Sequence, residues 1–115
     1  MKIPPLFVYG TLMNPSTRVD VLGRECALLP ATLEGYRVQV GKWPYLVRSI
    51  DETVSGLLLL NLDVPDYKKL DDYEDVANGF YLRQSVEAFD ENGNIIACYV
   101  YLPVLDRWPK EWLAA

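Results

Sequence analysis

Leu6-Phe7-Val8-Tyr9-Gly10-Thr11-Leu12-Met13-Asn14-Pro15 is the most informative stretch of this 115-residue chain. The apolar run from Leu6 through Tyr9 reads as a strand buried in a core. Gly10 ends it, because glycine permits close backbone approach and torsions that other residues avoid. Asn14 and Pro15 then read as the cap and first position of a short helix. That helix runs through Arg18, Val19 and Leu22 and stops at Gly23. A strand ending on such a turn leaves backbone N–H groups facing outward, able to hold a small anionic or carbonyl-bearing ligand. The same residues equally describe an ordinary tight turn, so the choice depends on what the rest of the chain brings to it.

Working outward, Ala27 to Leu33 is apolar and reads as a strand, and after Gly35 the stretch Tyr36 to Val40 alternates sides. Val54 to Leu60 is a near-continuous apolar run, the pattern of a strand buried on both faces. Phe80 to Phe89 alternates, with Phe80, Leu82, Val86 and Ala88 on one side and Tyr81, Arg83, Ser85 and Glu87 on the other. Asp90 to Asn94 reads as a turn and Ile95 to Leu102 as its hairpin partner. The tail, Arg107 to Leu113, carries two tryptophans and reads as a short helix. The longest helix expected is Pro65 to Val76, with Asp63 as cap and Asn78-Gly79 as stop. On it Tyr67, Leu70, Asp71 and Glu74 share one stripe, while Lys68, Lys69, Asp72 and Asp75 fall on solvated faces. Runs of strands, few helices and no βαβ alternation predict an α+β fold: a small mixed, largely antiparallel barrel or sheet with short helices outside.

The length suits one domain, residues 1–115, and half the residues are hydrophobic, enough to bury a core. The formal net charge is −5 and no basic cluster occurs, which argues against nucleic acid as a partner. Met1-Lys2-Ile3-Pro4-Pro5 does not read as a signal peptide, since two prolines break its short apolar run. No stretch is long enough to span a membrane, and a cytoplasmic protein is expected. Histidine is absent. That removes a Ser-His-Asp triad, a Cys-His pair and a histidine-bound zinc. Cys26 and Cys98 are the only cysteines, too few for a zinc site, and Cys98 in an apolar strand reads as core.

The chemistry then rests on carboxylates and tyrosines. Glu74 lies on the core-side stripe of its helix, where burial would raise its pKa and make it a base near neutral pH. A half-exposed glutamate at a helix end has the same spacing. Asp71, Asp72, Glu74 and Asp75 point in different directions around a helix and cannot converge on one metal ion. Asp90-Glu91-Asn92-Gly93 faintly matches a calcium loop but lacks the bidentate acid at the required distance, and a hairpin turn accounts for it. Tyr99 and Tyr101 share a strand face, near Tyr81 and Arg83 on the partner strand. Their rings either pack across the strands or present a hydroxyl to a ligand or to Glu74.

Taken together, these residues resemble the γ-glutamylcyclotransferase-like family, in particular its short γ-glutamylamine cyclotransferase and AIG2-like branch. The matching pieces are Phe7-Val8-Tyr9-Gly10-Thr11-Leu12-Met13, Leu33-Glu34-Gly35-Tyr36, Pro44-Tyr45-Leu46-Val47, Val54-Ser55-Gly56, Leu70-Asp71-Asp72-Tyr73-Glu74, Tyr81-Leu82-Arg83 and Cys98-Tyr99-Val100-Tyr101. The resemblance implies a small mixed barrel flanked by helices. It also implies a reaction: the α-amine of a γ-glutamyl group attacks its own side-chain carbonyl, 5-oxoproline forms, and the amine partner leaves. It makes Glu74 the general base, Tyr9, Gly10, Thr11 and Leu12 the backbone contacts to the γ-glutamyl moiety, and Tyr101 a wall of the pocket. Tyr45 and Tyr81, within matching pieces, join the substrate-binding set. An intramolecular reaction needs positioning and one base, not a nucleophilic side chain, a metal or another cofactor. The turn's N–H groups would either steady an oxyanion or hold the substrate carboxylate. The family motif usually continues Glu-Gly, whereas Asp75 follows Glu74 here; the extra charge either raises the pKa of the base or faces solvent. The segment Val40 to Ile50 is short, in a region where family members vary in the loops that select the leaving group. The expected partner is a small γ-glutamyl substrate. The other function this fold could serve is a non-catalytic module that binds γ-glutamyl or amino-acid-like ligands. Oligomeric state is not readable from the sequence.

Overall fold

The alternation of apolar side chains along five strands closes a barrel. The computed structural model describes residues 3–115, so Met1 and Lys2, where the segment read as no signal peptide begins, lie outside the described residues. In chain order the elements are β1 (Leu6–Val8), α1 (Pro15–Leu22), β2 (Leu28–Val40), β3 (Pro44–Leu59), α2 (Val64–Tyr73), β4 (Tyr81–Asp90) and β5 (Ile95–Pro103), with 3-10 turns at Thr11–Met13, Val76–Asn78, Leu105–Arg107 and Lys110–Trp112. The barrel order is β1-β3-β2-β4-β5. All pairings are antiparallel except β1 with β5, which meet in parallel through Leu6 and Tyr99. The expected mixed, largely antiparallel barrel with helices outside is the fold observed.

Because strand side chains alternate, each strand feeds two cores. Phe7, Leu33, Leu58, Cys98 and Val100 fill the barrel interior. Leu6, Val8 and Leu59 face outward, where Leu22, Leu70 and Trp108 from the helices and tail cover them. Cys98 is core as expected, and both cysteines are free. Among the described residues no helix is long and apolar enough to cross a membrane.

Four features differ from the sequence expectation. Ala27 to Leu33 and Tyr36 to Val40 are one strand, β2, with a register shift at Gly35, whose φ of 84° interrupts the alternation. Its partner β3 starts at Pro44, so most of the segment expected to vary as a loop is paired strand. This part of the hairpin leaves Arg48, Ile50, Asp51 and Glu52 exposed, which hid its strand character. α2 ends at Tyr73 rather than Val76, because Asp75 turns left-handed at φ 58°. The tail forms two 3-10 turns instead of a helix, since Pro109 forces Trp108 into an extended conformation.

The helix starts follow their caps. The Asn14 side chain accepts hydrogen bonds from the N–H groups of Ser16 and Thr17 at 2.8 and 3.3 Å. Asp63 and Asp66 cap α2 reciprocally: the Asp66 N–H donates to the Asp63 carboxylate at 2.8 Å and the Asp63 N–H to the Asp66 carboxylate at 3.0 Å.

Candidate active site

β1 ends at Val8 and hands the chain through Tyr9 and Gly10 to the Thr11–Met13 turn. The first bond of that turn runs from the Met13 N–H to the Gly10 carbonyl, 2.9 Å. The N–H groups of Thr11 and Leu12 precede it and have no backbone partner among the described residues. Arg18 holds the turn from beneath. It is only 2% exposed, and its Nη1 donates to the carbonyls of Leu12 at 3.1 Å and Met13 at 2.8 Å. Its Nε lies 3.8 Å from the Glu25 carboxylate.

Facing the turn, the last residue of α2's stripe becomes its C-cap. The Glu74 N–H still closes the helix onto the Leu70 carbonyl at 2.9 Å, but its φ and ψ of −83° and 0° have left the helix. Burial raises the Glu74 pKa from its ordinary value of 4.5 to about 7. No cation or hydrogen-bond donor among the described residues offsets that burial. The carboxyl is therefore partly buried, unpaired and half-ionised near neutral pH.

Glu74 and the turn residues Tyr9 to Leu12 line one cavity of about 310 Å³, together with Tyr81 and Tyr101. The phenols are held as neutral donors. Burial, then the proximity of Tyr81 and Glu74, pushes the Tyr9 pKa up, and its hydroxyl donates to the Tyr101 carbonyl at 3.2 Å. Burial and Glu74 do the same to Tyr81, which donates to the Pro44 carbonyl at 3.1 Å. The Tyr101 hydroxyl is committed to Asp71 at 2.6 Å rather than to Glu74, and burial with that bond raises its pKa. Arg83 stacks on the rings of Tyr67 and Tyr99 and approaches Asp71 at 3.8 Å, so Asp71 belongs to a packing network behind the wall. Tyr45 is the exception among the expected site residues. It is buried outside the cavity wall, donates to Gln39 at 3.0 Å, accepts from the Ala114 N–H at 2.9 Å and packs edge-on to Trp108. It anchors the tail.

The sequence did not single out Lys42, Trp43 and Tyr73, nor place Phe80, Trp108 and Trp112 on a cavity, yet all six line it. Tyr73 is partly exposed and shares a 2.6 Å hydrogen bond with the Thr11 hydroxyl, linking α2 to the turn. The Trp108 indole donates to the Phe80 carbonyl at 2.7 Å. The one available signal was the concentration of tryptophan at Trp43, Trp108 and Trp112, aromatic bulk that a core this small does not need in three places. Among the described residues no cluster of acidic, cysteine or histidine side chains could hold a metal ion.

Residues 6–113 match the family described as gamma-glutamyl cyclotransferase, AIG2-like. The chain belongs to this family. Solved structures share its fold. An Arabidopsis thaliana protein in solution superposes with a TM-score of 0.82 at 24% identity, covering 100% of this chain and 77% of that one. A structure described as gamma-glutamyl cyclotransferase gives 0.77 at 19% identity over 87% of this chain and 66% of that one. A mouse AIG2-like protein gives 0.67 at 22% identity over 97% and 83%. No curated protein matches the chain by sequence.

The family's usual glycine after the glutamate has a physical reason in this backbone. The position after Glu74 sits at φ 58° and ψ 43°, the left-handed region that glycine occupies without steric cost. Aspartate tolerates it better than most residues. Here the Asp75 carboxylate also accepts a hydrogen bond from the Asn78 side chain at 2.7 Å. The raised pKa of Glu74 comes from burial, so the extra charge is not what lifts it.

Proposed function

We propose that this protein cyclises a γ-glutamyl amine or amide to 5-oxoproline and releases the free amine, with Glu74 as general base. The observation that carries this is Glu74 itself: an unpaired, partly buried carboxyl with a pKa of about 7, across one cavity from a turn with two unpartnered N–H groups. The substrate enters with its α-ammonium near Glu74. The carboxylate takes one proton, and the amine nitrogen attacks the γ-carbonyl carbon. The C–N bond to the leaving amine then breaks as the proton held on Glu74 passes to that amine, and the carboxylate so freed takes the second proton from the attacking nitrogen, leaving the neutral lactam. Both reacting groups belong to one molecule, so holding it bent brings much of the rate. The N–H groups of Thr11 and Leu12 suit the γ-carbonyl oxygen or the substrate carboxylate, and the phenols of Tyr9 and Tyr81 shape the pocket as neutral groups.

A panel of γ-glutamyl amines, γ-glutamyl amino acids and glutathione, assayed for 5-oxoproline, tests the reaction. At least one compound is expected to turn over. Glu74→Gln keeps the shape and loses the base, so release falls by roughly 10²- to 10⁴-fold, the usual contribution of a positioned base. Full activity in that variant sinks the assignment. Binding of these compounds by calorimetry with no product from the parent chain would instead establish a binding module.

A further inference from the structure

The turn joining β2 to β3 places Lys42 and Trp43 at the cavity, and the tail brings Trp112 against it. The Lys42 ammonium lies 4.5 Å from the centroid of the Trp112 ring and 5.6 Å from that of Trp43. It has no acidic partner among the described residues. Lys42 is the one cation among the residues that line the cavity, in a chain of net charge −5. The backbone that carries it is held against the tail. The Lys42 N–H donates to the Trp112 carbonyl at 2.9 Å, and Gly41 lacks the Cβ that would collide with that carbonyl. Phe80 packs on Trp112 at 5.3 Å between ring centroids.

The charges lining the cavity are thus segregated by type: Glu74 and Asp75 from the end of α2, Lys42 from the hairpin turn among aromatic faces. A substrate that delivers its ammonium to Glu74 must direct its leaving group to another wall. We infer that Lys42 and the tryptophans beside it form the leaving-group subsite. The amine they select is an α-amino acid with an apolar or aromatic side chain, its carboxylate paired with the Lys42 ammonium. The ring faces cover the side chain, and the single cation both attracts a carboxylate and repels a cationic amine. The inference rests on the cyclotransferase reading.

Two compounds decide it: γ-glutamyl-phenylalanine and γ-glutamyl-phenethylamine, which differ in the leaving group's carboxylate. The parent chain is expected to favour the first about tenfold in KM, the scale of one charge-assisted contact at a wet site. Lys42→Gln brings the two within about twofold, and Lys42→Arg restores the preference, since a guanidinium also pairs with carboxylate. An unchanged ratio in Lys42→Gln overturns the proposal. So does an equal loss on both compounds, which would assign Lys42 to the γ-glutamyl carboxylate instead. Calorimetry with the same pair separates this subsite from the reaction. A Kd ratio that collapses in Lys42→Gln without 5-oxoproline release supports the subsite and refutes the cyclotransferase. Turnover without a ratio keeps the reaction and refutes the subsite. Neither binding nor turnover refutes both.

Discussion

At Glu74 the surroundings set a protonation equilibrium that can be read in two independent ways. If the carboxylate is the base, kcat/KM rises with pH and bends near 7, where Glu74 releases its proton in the free protein. A profile flat from about pH 5 to about pH 8 would contradict the role. Stability responds in the opposite direction. Below the ordinary value of 4.5 both folded and unfolded chains hold the proton. Between 4.5 and about 7 the unfolded chain gives it up while the fold retains it, so rising pH removes stability, by up to roughly 3 kcal/mol at 1.36 per pH unit. Glu74→Gln should therefore melt higher than the parent near neutral pH, and the gap should close towards about pH 4. Thermal scans of both proteins across that range check it; a gap independent of pH would mean that burial does not oppose the charge. The sequence disclosed the residue but not its state. Glu74's place on a stripe with Tyr67 and Leu70 pointed inward, whereas its lack of any partner is a property of the assembled cavity.

At the level of elements, starts were easier to read than ends. Asn14-Pro15 and Asp63 announce their helices, because a cap is a local bond between residues two or three apart. The end of α2 was misplaced because its stop signal, a left-handed residue, is filled by Asp75 and not by glycine. This gives a graded expectation: Asp75→Val should cost about 1–2 kcal/mol, and Asp75→Gly far less, in denaturant unfolding. Equal losses would place the importance of Asp75 in its side-chain bond to Asn78 rather than in the backbone. The first half of β3 escaped notice for another reason. Strand patterning marks a buried face, and from Arg48 to Thr53 that ribbon has little to bury. The tail, Arg107 to Leu113, read as a short helix, but Pro109 between its two tryptophans breaks it into separate turns.

For the whole molecule, the class of fold was readable from strand patterning, and its closure into a barrel only through the family resemblance. Alternating strands and outlying helices imply a barrel or sheet. The parallel contact of Leu6 with Tyr99 that shuts the ring joins distant residues and leaves no local trace. The tail completes the other side. Gly41→Ala would set a methyl against the Trp112 carbonyl, so it should loosen the tail, lower the melting temperature and shift tryptophan emission to the red. An unaltered emission spectrum would show that the tail docks by its rings alone. The hydrogen bond between Tyr9 and the Tyr101 carbonyl spans 92 positions of sequence, and Trp108 and Trp112 close over the same cavity later still. Contacts so remote must wait for long loops to close, which slows them relative to hairpins and helices. In refolding, then, the far-ultraviolet signal should recover ahead of the tryptophan signal, and affinity for a γ-glutamyl compound should return with the second. On a ribosome the order is the same: the turn is made early, but it has nothing to hold a substrate against until nearly the whole of this sequence has been synthesised.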